Sequence, residues 1–166
     1  MVYRKTILSP LGAITLASDG RAILGLWLEG QKYFLHSVRN ETSEEAELPV
    51  FDAAEEWLRR YFAGGRPDPR ELPLAPRGRE FRQLIWQLLL EIPCGQVTTY
   101  GELAKQAAAR MGKASMSAQA VGGAVGHNPI SIIIPCHRVV GADGSLTGYA
   151  GGLWRKEQLL RLERGI

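Results

Sequence analysis

The stretch IIIPCHRVVG, residues 132–141, is the most informative part of the sequence. Three β-branched aliphatic residues precede Pro135 and two valines follow Arg138, which is the pattern of a buried β-strand. Because proline fixes its own φ, we expect the chain to turn sharply there. The turn brings a thiol, an imidazole and a guanidinium group together at the end of the predicted strand.

The chemistry of this stretch depends on whether the Cys136 thiol can be ionised. A thiol reacts as its thiolate, and the ordinary pKa of cysteine is about 8.5, so a base is needed near neutral pH. His137 could accept the proton, through the turn or through a relaying water, and Glu163 is the best candidate to orient the imidazole. A lone buried cysteine is more often a packing residue. The stretch alone therefore leaves a reactive and an inert thiol open.

The residues before this stretch predict two helices. The capping-box pattern Thr99-x-x-Glu102 opens a helix over residues 100–109, and Ser117 caps a second one that runs to about Val125. A helix, a brief turn and a short second helix make the helix-turn-helix arrangement, in which the second helix contacts DNA. We therefore expect residues 117–125 to include the reading helix.

The predicted reading helix contains two glycines, Gly122 and Gly123. Each costs about 1 kcal/mol relative to alanine within a helix. Tight packing on a neighbouring helix would explain them, and so would close approach of the backbone to a DNA groove. After the opening stretch, the glycine-rich residues 141–152 could form a wing, and residues 153–163 predict a final helix.

The first part of the chain predicts a separate α/β unit. Apolar alternation in the first 35 residues predicts an antiparallel meander of three strands, and polar residues 36–48 predict a loop. A helix should begin near Val50, and four prolines within residues 66–77 indicate an extended linker. We thus expect a supporting α/β domain over residues 1–76, ending in the proline-rich linker, and a mainly helical domain over residues 77–166.

Composition narrows the class of protein. Residues 1–76 hold 9 Lys and Arg against 11 Asp and Glu, whereas residues 77–166 hold 11 against 6, so the second half is basic enough for a polyanionic partner. The two cysteines, Cys94 and Cys136, make no disulfide framework, which favours a reducing compartment. No signal peptide or membrane-spanning run is visible, and no Cys-x-x-Cys or paired-histidine spacing predicts a metal site.

Several motifs together resemble the O6-alkylguanine-DNA alkyltransferase family. They are AVGGA at residues 120–124, Asn128-Pro129, IPCHRV at residues 134–139, GYAGG at residues 148–152, and Leu159-Leu160 with Glu163. The resemblance runs from about residue 80 to residue 163. It implies an RNase H-like N-terminal domain and a winged helix-turn-helix C-terminal domain. It also implies DNA repair by irreversible transfer of an alkyl group from O6-alkylguanine, and also O4-alkylthymine, to a cysteine.

The resemblance implies roles for the residues around the thiol. Cys136 would accept the alkyl group, His137 would take its proton through a water, and Glu163 would support the histidine. Asn128 would form a hinge between the reading helix and the active-site segment. Cys94 would be structural, and Arg138 should pair with a nearby carboxylate or carbonyl groups.

The resemblance also implies how the damaged base and the DNA are bound. Tyr149 would contact the extruded base, Tyr100 would handle the rotated phosphate, and main-chain groups near Val139 and Ala150 would read the guanine edge. The DNA-binding residues would be Ser117, Ala118, Gln119, Ala120, Gly122 and Gly123. Gln119 stands where well-known members have the arginine that fills the gap left by the base, and glutamine lacks its charge and planar stack.

The expected partner is double-stranded DNA carrying O6-alkylguanine, bound through the minor groove by a monomeric cytoplasmic protein. No cofactor and no metal are expected. Three alternatives remain at this point: a damage sensor of the same fold that does no chemistry, a cysteine hydrolase built on Cys136, His137 and Glu163, and a winged-helix regulator with an inert thiol. Damage sensors of this fold lack the cysteine, whereas Cys136 is present here. A hydrolase would need an oxyanion hole that the sequence does not identify.

Overall fold

A four-stranded sheet forms the N-terminal part of the computed structural model, which describes residues 1–165. Its strands are β1 (Val2–Ser9), β2 (Gly12–Ser18), β3 (Ile23–Leu28) and β4 (Ser43–Glu45), in the order β3-β2-β1-β4. The first three are antiparallel neighbours, which confirms the predicted meander, and β4 pairs parallel with β1. The predicted loop over residues 36–48 is wrong at residues 43–45, because a three-residue strand of Ser-Glu-Glu carries no apolar alternation.

Strand β3 is buried along its whole length. Leu26 and Leu28 belong to the main core, and Leu24 and Trp27 belong to a smaller cluster on the other face. A strand covered on both faces loses the polar alternation of a half-buried strand. Helix α1 (Pro49–Phe62) packs its apolar face into the main core, and residues 66–77 are largely extended apart from a short 3-10 turn at Pro69–Glu71.

Four more helices build the C-terminal part. They are α2 (Glu80–Leu90), α3 (Tyr100–Arg110), α4 (Ala118–Gly126) and α5 (Leu153–Arg164). The predicted caps are present: Thr99 Oγ1 accepts from the Glu102 amide at 3.1 Å, and Ser117 Oγ accepts from the Ala120 amide at 3.2 Å. The indole of Trp86 donates to the Ala124 carbonyl (2.9 Å), which joins α2 to α4. Helices α3 and α4 thus form the expected helix pair.

The segment before Cys136 is a turn, and our prediction of a strand over residues 132–134 is wrong. Ile132 has a φ of +71°, a left-handed conformation that is a genuine outlier for a β-branched residue. The Asn128 side chain holds the turn, since its amide donates to the Ile134 carbonyl (2.8 Å) and its oxygen accepts from the Ile130 amide (3.0 Å). The apolar run at residues 132–134 therefore indicates that these residues are buried, although their backbone is not extended. Only β6 (Val139–Val140) is a strand, paired parallel with β5 (Thr98–Thr99).

One hydrophobic core runs through both parts of the chain. The edge of β3 joins the segment that leads to the thiol: the Leu26 amide donates to the Pro129 carbonyl (2.8 Å), and the Ser131 amide donates to the Leu26 carbonyl (3.0 Å). These bonds fix the thiol segment against the N-terminal sheet. Ile166, the last residue of the predicted second domain, lies outside the described residues. Within residues 1–165, no helix is long and apolar enough to cross a bilayer.

Candidate active site

Cys136 opens a 3-10 turn, Cys136–Arg138, directly after the strained segment. The residue is 5% exposed and lies in the wall of a cavity of about 190 Å³. The cavity is bounded by one loop from the N-terminal part, by helices α3 and α4, and by the glycine-rich loop. Its lining residues are Lys32, Tyr33, Tyr100, Gly122, Val125, Gly126, Cys136, Gly148, Tyr149 and Ala150.

His137, the residue after Cys136, forms a buried pair with Glu163. Their atoms Nε2 and Oε2 are 2.6 Å apart, and both residues are almost fully buried. Burial lowers the pKa of His137, although Glu163 opposes that shift. Nδ1 of His137 is buried and makes no hydrogen bond within residues 1–165. A neutral imidazole that donates from Nε2 to Glu163 keeps Nδ1 as a free acceptor, which is what a proton-accepting base requires.

The thiol is protonated at rest. Burial raises the pKa of Cys136, and the Asn128 side chain and the Lys156 ammonium only partly offset that rise. Burial also lowers the pKa of Lys156 to about 8. Its ammonium donates to the carbonyls of Thr147 (2.8 Å) and Gly148 (3.1 Å) and so ties the glycine-rich loop to α5. Reaction at Cys136 therefore needs removal of its proton.

Glu163 is held by three partners from distant parts of the chain. Arg138 donates from Nε to Oε1 (2.8 Å) and from Nη2 to Oε2 (3.1 Å), as expected of a structural arginine, and it also donates to the Ile92 carbonyl. The Tyr61 hydroxyl, from α1, donates to Oε2 at 2.5 Å. Burial disfavours the carboxylate, but the bonds from His137 and Arg138 outweigh it and hold the pKa of Glu163 well below its ordinary value. The carboxylate is therefore ionised near neutral pH.

Tyr149 and Tyr100 bring hydroxyl groups to the cavity. The Tyr149 hydroxyl is buried without a hydrogen-bond partner among the described residues, and burial raises its pKa well above the ordinary value. It therefore keeps its proton. Burial also raises the pKa of Tyr100, whose hydroxyl lies 3.4 Å from the Thr147 carbonyl. Ala150 lines the cavity, whereas Val139 is fully buried behind Cys136, where its amide bonds the Cys136 carbonyl.

The outer face of α4 is open. The segment from Ser117 to Ala120, including Gln119, is exposed. A Cβ atom added at Gly123 would meet no atom within 4 Å, and one at Gly122 would come no closer than 3.9 Å to the Tyr100 ring. Packing inside the protein therefore does not require either glycine.

Sequence reasoning missed four polar side chains of the site. Lys32 and Tyr33 reach the cavity from a loop after β3, Tyr61 reaches Glu163 across 102 positions, and Lys156 is a fully buried lysine. None belongs to a motif around the cysteine, so a local pattern could not reveal them. The one available signal was the placement of Lys156 among the apolar positions of α5, which indicates a buried lysine that needs polar partners.

The fold and the site define a helix-turn-helix protein that carries a buried cysteine with a histidine–carboxylate pair. Residues 2–76 match the profile of the 6-O-methylguanine DNA methyltransferase ribonuclease-like domain, and residues 80–165 match the profile of the DNA-binding domain of the same family. The chain belongs to the 6-O-methylguanine DNA methyltransferase family. This confirms the resemblance and the predicted fold class.

Similar proteins of known name and structure extend the match over almost the whole chain. The methylated-DNA--protein-cysteine methyltransferase of Haemophilus influenzae is 44% identical over 156 residues, which cover 94% of this chain and 83% of that protein. The Mycobacterium bovis protein of the same name is 43% identical, over 99% of this chain and 93% of its own length. The structure of Mycobacterium tuberculosis OGT in complex with DNA has a TM-score of 0.83 at 42% identity, with 98% of this chain and 93% of that chain covered.

Proposed function

We propose that this protein repairs DNA by transferring the alkyl group of O6-alkylguanine, and also of O4-alkylthymine, irreversibly to Cys136. The observation that carries the proposal is the buried thiol in the wall of a cavity, followed in the chain by His137, whose Nε2 bonds Glu163 and whose Nδ1 has no partner among the described residues. The names of its relatives support the same reaction. Because O6 lies on the pairing edge of guanine, the base has to leave the duplex to reach the cavity.

Each residue of the site has a separate role in the proposed reaction. The Cys136 proton passes to Nδ1 of His137, directly or through a water, and Glu163 stabilises the resulting imidazolium. The sulfur then attacks the alkyl carbon, so that the S–C bond forms as the C–O6 bond breaks and the electron pair goes to the guanine. A hydrogen bond from the Tyr149 hydroxyl, which keeps its proton, stabilises the departing base. The product is a thioether, which the site has no means of hydrolysing, so each molecule reacts once.

The open face of α4 is proposed as the surface that enters the minor groove. Ser117, Ala118, Gln119, Ala120, Gly122 and Gly123 would lie against the DNA. Tyr100 would hold the rotated phosphate, and the main chain at Ala150 and near Val139 would read the base. In this scheme residues 1–76 support the site, residues 77–166 bind DNA and accept the alkyl group, and the protein acts as a monomer in the cytoplasm.

The stoichiometry of transfer tests this function. A duplex carrying O6-methylguanine with a labelled methyl group should leave one equivalent of label per protein, on the peptide that contains Cys136. The Cys94→Ala variant is the matched control and should accept the same amount, because Cys94 lies outside the cavity. Repeated turnover would favour a hydrolase, and label on Cys94 would refute the assignment.

Gly123 offers a test in which binding and stability move in opposite directions. Gly123→Ala should raise the free energy of unfolding, by up to about 1 kcal/mol, because alanine is the better helix former and the added methyl meets no neighbour. The same methyl should weaken binding to duplex DNA by holding the backbone away from it. Thermal unfolding and fluorescence anisotropy measure the two effects. Unchanged DNA affinity would show that α4 does not approach the duplex closely at this residue.

Gln119 tests how the gap left by the base is filled. Gln119→Arg should tighten binding to lesion-bearing duplex more than to undamaged duplex, because a guanidinium can both stack and pair with the orphaned base. The exposed position allows the change without a cost in folding. Competition binding with the two duplexes gives the ratio. An equal gain in affinity for the two duplexes would show that the arginine acts only by general charge attraction.

A further inference from the structure

A second cavity, of about 550 Å³, lies beside the candidate active site. Its walls come from the segment after β3, the start of α2 and the end of α4. Its basic lining residues are His36, Arg39, Arg77, Arg79, Arg82 and His127. We refer to it as the basic cavity, since it is lined by four arginines and two histidines and by no carboxylate among residues 1–165.

The positive charge of the basic cavity is largely uncompensated. Arg77 is paired with Glu41, whereas Arg39, Arg79 and Arg82 have no carboxylate partner within the described residues. Local desolvation lowers the pKa of His36, and the nearby charges of Arg39, His127 and Arg82 lower it further. Like charges gathered on a concave wall repel one another and attract an anion. The folded protein thus maintains an arrangement that an anion would stabilise.

Hydrogen-bond donors in the same wall favour a phosphate over a simple ion. Ser37 lines the cavity, and its hydroxyl is buried without a partner in the part of the chain that the structure describes. Guanidinium groups bind phosphate oxygens in pairs, and a hydroxyl can occupy another oxygen of the same group.

The basic cavity adjoins the cavity of Cys136. Tyr33 lines both, and its ring stacks on that of His127 with centroids 3.9 Å apart. His127 directly follows α4, the helix proposed to read DNA. A duplex that places a base against Cys136 therefore brings its own backbone close to these arginines. This contiguity favours DNA, rather than a free metabolite, as the source of the phosphate.

We propose that the basic cavity binds a backbone phosphate of the DNA that is under repair. The site joins Arg39 and Ser37 of the N-terminal part to Arg79 and Arg82 of the C-terminal part. It gives the N-terminal part a direct share in DNA binding. The proposal rests on the DNA-repair function set out above.

The test compares two double variants of equal charge. Arg39→Gln/Arg82→Gln should bind duplex DNA about tenfold more weakly, as expected for lost charge-assisted bonds, and the slope of log K against log salt should become shallower by about one. Arg21→Gln/Arg70→Gln removes two exposed arginines outside the cavity and should change both values much less. Methyl transfer from the free base O6-methylguanine, which has no phosphate, should keep its wild-type rate in both variants.

Each other outcome has a distinct meaning. If wild type binds and repairs DNA but the cavity variant matches the control variant, the phosphate site is refuted and the repair function stands. Loss of free-base transfer in the cavity variant would place the defect in the active site and refute the phosphate site. Stabilisation of wild type, but not of the cavity variant, by inorganic phosphate with unchanged DNA affinity would show a free-anion site instead. Failure of wild type to bind duplex DNA would overturn both proposals.

Discussion

Cys136→Ala is expected to lose methyl transfer completely while its affinity for lesion-bearing duplex stays within a few-fold of wild type. The sulfur is the only atom of the residue that can form the new bond, whereas Cys136 contributes a small part of the cavity wall. Removing the buried sulfur of this small side chain should lower the free energy of unfolding by about 1 kcal/mol. Transfer is measured with a methyl-labelled duplex, and binding is measured by anisotropy on the same duplex.

The controls for this variant separate chemistry from folding. Circular dichroism and the melting temperature should show that the variant is folded at the assay temperature. Cys94→Ala removes the other thiol of the chain and should retain full transfer. If Cys136→Ala still accepted label, or if it lost DNA binding together with transfer, the thiol would not be the nucleophile of an otherwise intact site.

Glu163→Gln is expected to damage both stability and reaction. Glutamine leaves Arg138 buried without its counter-charge, and breaking a buried ion pair in this way costs about 3–5 kcal/mol. It also removes the charge that stabilises the imidazolium of His137, so transfer should slow by about 10²-fold or more. Urea unfolding and single-turnover kinetics below the melting temperature measure the two effects.

The pH dependence identifies the source of the lost stability. The pKa of Glu163 in the folded protein lies below its ordinary value of 4.5, so its contribution is fully present above about pH 4.5 and declines as the pH falls further. The gap in stability between wild type and Glu163→Gln should therefore narrow on acidification. Tyr61→Phe serves as a milder comparison, since it removes one neutral donor and keeps the ion pair. A gap independent of pH would attribute the loss to packing.

The sequence predicted those features that depend on local chemistry. Apolar spacing located helices α1, α2 and α5, and side-chain caps at Thr99 and Ser117 located the ends of the helix pair. The adjacent cysteine and histidine indicate a thiol and its base, and Glu163 is the carboxylate predicted to support the histidine. The structure places Glu163 against His137 and Arg138, but the roles of these residues remain predictions until they are measured.

Other features could not be found because distant residues determine them. The isoleucines before Pro135 resemble a strand, yet hydrogen bonds from Asn128 impose a turn with Ile132 in a left-handed conformation. Tyr61 reaches Glu163 only after the whole fold has formed. The basic half of the chain was visible in its composition, but the basic cavity also draws on Arg39 from the acidic half.

The bonds between Leu26 and residues 129–131 make the C-terminal part of the chain depend on the N-terminal part. A fragment that began at residue 77 would lose the β3 edge that holds the thiol segment, together with Tyr61 behind Glu163. It would expose the apolar surface that the two parts now share. The whole chain should therefore melt in one cooperative transition. A chimera that takes its N-terminal part from a relative should be stable only when the residues that bond Leu26 and Tyr61 are exchanged as well.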